Sequence, residues 1–145
     1  MKNSIPQLIL LCTLFIFGAS NAQEKLKTLY GNNEAVGKQI ELNGAKIYYE
    51  EYGKGEPLLL IHGNGESIKS MVNQIEYFKT KFRVIIADNR GHGKSELKTD
   101  SLTYKQIAND LDGLADHLQL DSLSIIGWSD GAILALLMGI NNKVK

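Results

Sequence analysis

Residues 124–135 read SIIGWSDGAILA, and this stretch decides the fold. A short apolar run, Leu123 to Ile126, meets Gly127-Trp128-Ser129-Asp130-Gly131, and the apolar run GAILALLMGI follows at once. A strand that passes straight into a helix leaves little room at the junction. Gly127 and Gly131 stand two residues to either side of Ser129, and they are predicted to crowd each other, so both must lack a side chain. The serine is predicted to sit in a strained backbone region, at a cost of about 1–3 kcal/mol, which lifts its hydroxyl clear of the sheet. The bland alternative is a glycine-rich turn whose serine only caps the helix.

Working back toward the N-terminus, the same logic recurs. VGKQIEL and AKIYYEEY flank Asn43-Gly44, a hairpin signal, because both central residues of that turn need positive φ. PLLLIH and FRVIIA are continuous apolar runs, as expected of strands buried on both faces. Between them a helix capped by Ser67 is predicted, with Ile68, Met71, Val72, Ile75 and Phe78 on one face. Tyr104 to Leu118 is predicted as a second helix, with Ile107, Leu111, Leu114 and Leu118 as its stripe. GAILALLMGI is apolar on nearly all sides and is predicted to be buried.

The order is hairpin, strand, helix, strand, helix, strand, helix. It predicts an α/β fold with a mostly parallel sheet and helices on both faces. Binding groups in such folds lie at the carboxyl ends of the strands. Three loops fall there: HGNGES (62–67), DNRGHGKS (88–95) and GWSDG (127–131).

Composition narrows the function classes. The chain has 145 residues, 43% hydrophobic and 22% charged, enough for about one domain. Sixteen basic and sixteen acidic residues cancel, so no basic field points to nucleic acid. The glycines near Asn64 lack the Gly-Lys-Ser/Thr of a phosphate loop and the G-x-G-x-x-G of a dinucleotide turn. Residues 1–22 read as a signal peptide: Lys2, an apolar core from Leu8 to Phe17, then Ser20-Asn21-Ala22 as a small-x-small cleavage site. The apolar run is too short for a stable membrane span, which needs about 20 residues. These features predict a secreted or periplasmic protein. The only cysteine, Cys12, lies inside that core, so cleavage near Ala22 leaves a mature chain with no thiol chemistry. Residues 23–35 are predicted to form a polar leader.

The three loops together resemble the α/β-hydrolase family: H-G-x-G at His62 to Gly65, D-x-R-G-x-G-x-S at Asp88 to Ser95, and G-x-S-x-G at Gly127 to Gly131. The last is that family's nucleophile elbow, and its strand–turn–helix context is the supporting sign. The resemblance covers roughly Val36 to Ile140 and is nearest the esterase/lipase-like branch, with its carbon–carbon bond hydrolases and cofactor-free perhydrolases. Relatives that dehalogenate or open epoxides carry aspartate at the nucleophile position. Ser129 there implies attack on an ester or related carbonyl and an acyl-serine intermediate, which water then hydrolyses. The resemblance further implies an oxyanion hole made by the backbone N–H groups of Asn64 and Asp130, helped by the positive end of the following helix. His62, Gly63, Gly65, Gly127 and Gly131 are predicted to shape the loops. Asp88 and Arg90 are predicted to lock theirs by charge-assisted hydrogen bonds. His92 and His117 are predicted to be exposed. A small acyl compound is the implied partner, and no metal or organic cofactor is implied.

The family's triad runs serine, then acid, then histidine. The residues after Ser129, DGAILALLMGINNKVK, contain no histidine and no acid beyond Asp130. Residues 36–145 are therefore expected to be the N-terminal portion of such a domain, truncated after the elbow and its helix, with LSII left as an apolar, unpaired edge. Two readings follow: a serine hydrolase in its full-length form, or a non-catalytic fragment or binding remnant.

Overall fold

The computed structural model describes residues 28–140. The segment read as a signal peptide, Cys12 and the first part of the polar leader lie outside the described residues. β1 (Lys38–Leu42) and β2 (Ala45–Tyr52) form the antiparallel hairpin, turned at Asn43 (φ 47°) and Gly44 (φ 78°). β3 is Pro57–Ile61 and β4 is Arg83–Ala87, and a 3₁₀ turn (Ile68–Met71) leads into α1 (Val72–Phe78) between them. α2 spans Tyr104–His117, β5 spans Ser124–Gly127 and α3 spans Asp130–Ile140.

The strands form one sheet in the order β1-β2-β4-β3-β5. β2 runs antiparallel to β4, while β3 is parallel to both β4 and β5. The sheet is thus mixed, and its parallel part carries the three loops predicted from sequence. Because β3 lies between β4 and β5, the loop after β3 is flanked by the other two.

Alternation along the strands splits the core in two. Leu59 and Ile61, with Ile47, Tyr49 and Ile85, face α2 and α3. Leu58 and Leu60, with Tyr48, Val84 and Ile86, face the 3₁₀ turn and α1 through Ile68, Met71 and Ile75. Each such aliphatic side chain contributes about 1.5–3 kcal/mol of burial free energy before chain entropy is counted.

Four features depart from the sequence reading. Ser67 is extended and makes no side-chain cap, and its place is taken by Asp88 Oδ1, which accepts from the Ile68 N–H at 2.8 Å. Helix α3 is only partly buried: Leu134 and Met138 face the core, whereas Leu136 is 71% exposed. Among the described residues β5 is the sheet edge. The polar stretch before β1 is tied down at Tyr30, Gly31 and Asn33. Glu50 on β2, fully buried, accepts from the N–H groups of Gly31 (2.9 Å) and Asn33 (3.0 Å) and from the hydroxyls of Tyr48 (2.7 Å) and Tyr52 (2.8 Å). Four donors satisfy a carboxylate that burial alone would make very costly. Burial, and then those bonds to Glu50, raise the pKa of both tyrosines.

The fourth concerns Arg90: it makes the charge-assisted bonds expected of it, but to a partner the sequence did not name. It does not bond Asp88. It pairs with Asp110 of α2 through two bonds, Nε–Oδ2 at 2.7 Å and Nη2–Oδ1 at 2.8 Å, with both side chains out of solvent. Its remaining N–H groups reach the carbonyls of Leu42, Asn43 and Leu97, and Asn43 Nδ2 donates to Asp110 Oδ1 at 2.8 Å. The pairing raises the Arg90 pKa. One buried ion pair thus ties the β1–β2 turn, the loop after β4 and α2 together. Removing one partner of such a pair leaves an uncompensated charge. Asp110→Ala is expected to cost about 3–5 kcal/mol, read from the urea unfolding midpoint at constant slope.

Candidate active site

The turn from β5 to α3 is as cramped as the sequence implies. Ser129 has φ 52°, a left-handed conformation that a residue with a side chain adopts only at a cost. A Cβ on Gly127 would lie 2.2 Å from the Gly131 carbonyl oxygen, as predicted. A Cβ on Gly131 meets a different neighbour: the Ile61 carbonyl oxygen at 2.3 Å and that of His62 at 3.0 Å. The second glycine therefore makes room for the end of β3 rather than for Gly127. The Trp128 N–H donates to the same Ile61 carbonyl at 2.9 Å, which pins the turn to β3.

This contact brings two loops together. A Cβ on Gly63 would stand 3.2 Å from Ser129 Cβ and 3.4 Å from the Trp128 ring. The bare backbone of Gly63 thus lies against the serine. Gly65 serves otherwise: a Cβ there meets nothing within 4 Å, but its φ is 70°. Ser129 is exposed. Asn64 follows Gly63 on one loop and Asp130 follows Ser129 on the other, and among the described residues neither N–H is used in the backbone hydrogen bonds that close these turns. Gly131 and Ala132 instead donate back to Trp128 and Ser129 at 2.9 Å, starting α3.

The histidines divide by role. His62 is fully buried. Its Nε2 accepts from the Asn89 N–H at 3.0 Å, so Nδ1 carries the proton and donates to the Gly63 carbonyl at 2.8 Å. Both ring nitrogens are committed to backbone groups of the two loops. Burial pushes its pKa down. His92 is half-buried rather than exposed, which corrects the sequence reading. Its Nδ1 donates to the Arg90 carbonyl at 3.0 Å and its Nε2 accepts from the Gly65 N–H at 3.1 Å, linking the loop after β4 to the loop after β3. The two imidazole rings lie 5.3 Å apart. His117 is exposed on α2, as expected. Among the described residues, no hydrogen bond joins a histidine to the Ser129 hydroxyl.

Asp88 organises what lies between. Its Oδ2 accepts from the Lys94 N–H at 2.8 Å and its carbonyl from Ser95 Oγ at 2.6 Å. Beside these loops opens a cleft of about 470 Å³, lined by Gly63, Asn64, Asn89, His92, Leu102, Thr103, Tyr104, Ile107, Asp130 and Leu134. The start of α2 forms one wall. Tyr104 Oη donates to Asp130 Oδ2 at 2.8 Å, and this bond raises the tyrosine pKa. Sequence reasoning missed Asn89, Leu102, Tyr104 and Asp110. Asp110 was findable, because it sits between Ile107 and Leu114 on the apolar stripe. The wall residues gave no periodic signal.

A family model for the alpha/beta hydrolase fold matches residues 56–145. The chain belongs to that family. Among curated relatives it is 31% identical over 112 residues to a soluble epoxide hydrolase of Corynebacterium sp. (strain C12), covering 77% of this chain and 39% of that protein. It is 38% identical over 88 residues to a putative non-heme chloroperoxidase of Synechocystis sp. (strain ATCC 27184 / PCC 6803 / Kazusa), covering 59% and 31%. A mutant of the Vigna radiata epoxide hydrolase superposes with TM-score 0.71 at 30% identity, over 75% of this chain and 36% of that one. Est816, an N-acyl homoserine lactone degrading enzyme, superposes with TM-score 0.70 at 28% identity, over 74% and 42%. The chain thus spans well under half the length of the relatives it matches. Among the described residues no helix is long and apolar enough to cross a membrane, and no group of three His, Cys, Asp or Glu side chains could hold a metal ion.

His62 gives this family member a pH signature. Its folded pKa lies below the ordinary value of 6.5, so below that pH the unfolded chain binds more protons than the folded one. Stability is expected to be full above about pH 7 and to fall on acidification, by up to about 1.4 kcal/mol per pH unit from this one group. Urea unfolding at pH 7.5, 6.5 and 5.5 measures it, and His62→Gln is expected to flatten that part of the slope.

Proposed function

We propose that this chain is the nucleophile-bearing part of a serine hydrolase that acts on esters or related carbonyl compounds through an acyl-serine intermediate. The observation that carries the reading is Ser129 itself: an exposed serine at φ 52°, at the strand-to-helix elbow of an alpha/beta hydrolase fold, with Gly63 against it. Several relatives are epoxide hydrolases, a class that carries aspartate at this position, so their chemistry is not transferred to a chain with serine there. Relatives named as an enol-lactonase and as a lactone-degrading enzyme agree better with attack on a carbonyl.

In this reading Ser129 Oγ adds to the carbonyl carbon and its proton passes to a base. The N–H groups of Asn64 and Asp130 stabilise the oxyanion, at the start of α3 where the helix dipole is positive. The alcohol leaves, and water then cleaves the acyl-serine bond to release the acid and restore the hydroxyl. The acid and histidine of the triad come from the part of the fold that follows α3, and residues 1–22 direct export.

The reading that the chain alone is non-catalytic also has a specific support. Ser129 has no histidine partner among the described residues, and both ring nitrogens of His62 and of His92 are engaged. The two readings meet in one experiment. A fluorophosphonate probe is expected to leave Ser129 unlabelled in the 145-residue chain and to label it in the full-length product. Stoichiometric labelling of the short chain would show that no histidine beyond α3 is needed. In the full-length product, Ser129→Ala is expected to lower kcat/KM on an activated ester by about 10⁴-fold or more. Activity that survives the change removes Ser129 as the nucleophile.

A further inference from the structure

Asp130 is the first residue of α3, and its backbone N–H is one of the two candidate oxyanion donors. Its own side chain is a hazard to that role. A carboxylate is drawn to the positive end of a helix. The N–H groups of Gly131 and Ala132 are taken by the carbonyls of Trp128 and Ser129, whereas among the described residues the Asp130 N–H closes no turn. A carboxylate that settled over that N–H would stand where negative charge must develop in the reaction. Like charges that close together disfavour the charged state.

The structure keeps the carboxylate elsewhere. Asp130 Oδ2 accepts from Tyr104 Oη at 2.8 Å. Among the described residues no cation pairs with Asp130, so the phenol is the partner of its charge. Tyr104 sits on a firm support. It is the first residue of α2, whose start is capped by Thr103 Oγ1 accepting from the Gln106 N–H at 3.2 Å. The Arg90–Asp110 pair fastens the same helix to the loop after β4. Ile107 of α2 and Leu134 of α3 are buried in one apolar cluster, which holds the two helices together. The bond to Asp130 also raises the Tyr104 pKa, so the hydroxyl keeps the proton it donates.

We propose that Tyr104 is a positioning residue for the oxyanion hole: it draws the Asp130 carboxylate toward α2 and leaves the Asp130 N–H to the developing oxyanion. Tyr104 acts through Asp130 and takes no part in bond making. This proposal rests on the serine-hydrolase reading above.

The test is a double-mutant cycle in the full-length product, with kcat and KM measured on p-nitrophenyl acetate. Tyr104 is 43% exposed, so removal of its hydroxyl leaves the core intact. Tyr104→Phe is expected to lower kcat about tenfold with KM changed less than about twofold, the scale of one charge acting over a few ångströms at a partly wet surface. Asp130→Asn keeps the backbone N–H and removes the charge. In that background Tyr104→Phe is expected to cost less than about twofold, because no carboxylate is left to hold. A tyrosine that only supported the fold would cost the same in both backgrounds. That result overturns the proposal, and so does a Tyr104→Phe enzyme with the wild-type kcat. The rate constant for fluorophosphonate labelling of Ser129 gives the cycle a second readout, because that attack also builds negative charge on an oxygen, and it decides the matter where no ester is turned over. Absence of both labelling and turnover in the wild type overturns the serine-hydrolase reading, and the proposal with it.

Discussion

The contact on which the site depends is the close approach of the β5–α3 turn to the end of β3. Gly131 lies where any Cβ would stand 2.3 Å from the Ile61 carbonyl oxygen, and that same carbonyl accepts from the Trp128 N–H. Backbone meets backbone there, with no side chain to give way. The turn cannot move back from β3 without losing that bond, and Gly63 of the loop after β3 is brought against Ser129 in consequence. Sterics alone thus set Ser129 against the bare backbone of Gly63.

Around this contact runs a set of buried polar groups, each joining two segments far apart in sequence. His62 holds the loop after β3 to Asn89, and His92 returns the link through Gly65. Asp88 starts the 3₁₀ turn and closes its own loop. Arg90 and Asp110 fasten that loop to α2, and α2 supplies the Tyr104 wall of the cleft. These groups add little net stability for their number, because each forfeits hydration on burial. Their contribution is geometric: loops that would otherwise move are held to fixed positions beside a strained serine.

Much of this was readable from the residues. The hairpin turn at Asn43-Gly44, the apolar strands and the elbow glycines are local requirements, set by φ, by period or by crowding within a few positions. His62 was legible as a loop-holding residue. The partners were not. Arg90 bonds Asp110, twenty residues away, rather than Asp88, and Asp88 caps a turn that Ser67 was read as capping. His92 was read as exposed because nothing nearby in sequence marks Gly65 as its donor. Asn89 sits at a position of the loop where any residue fits the motif, and its two bonds to His62 arise only where the loops meet.

What the amino-acid sequence determined by itself was the fold class and the position of the cramped strand-to-helix turn that carries Ser129. Alternating apolar strands and helices permit few architectures, and a glycine-serine-glycine spacing at a strand-to-helix junction admits few conformations. What only the tertiary structure decided was which buried charge meets which, how far α3 is covered, and what walls the cleft. The helix read as buried on all sides is apolar on all sides, yet Leu136 is exposed, because hydropathy records a tendency to be covered and not the presence of a cover. Pairing and burial depend on chain segments meeting in space, and no local pattern of side chains encodes where those meetings occur.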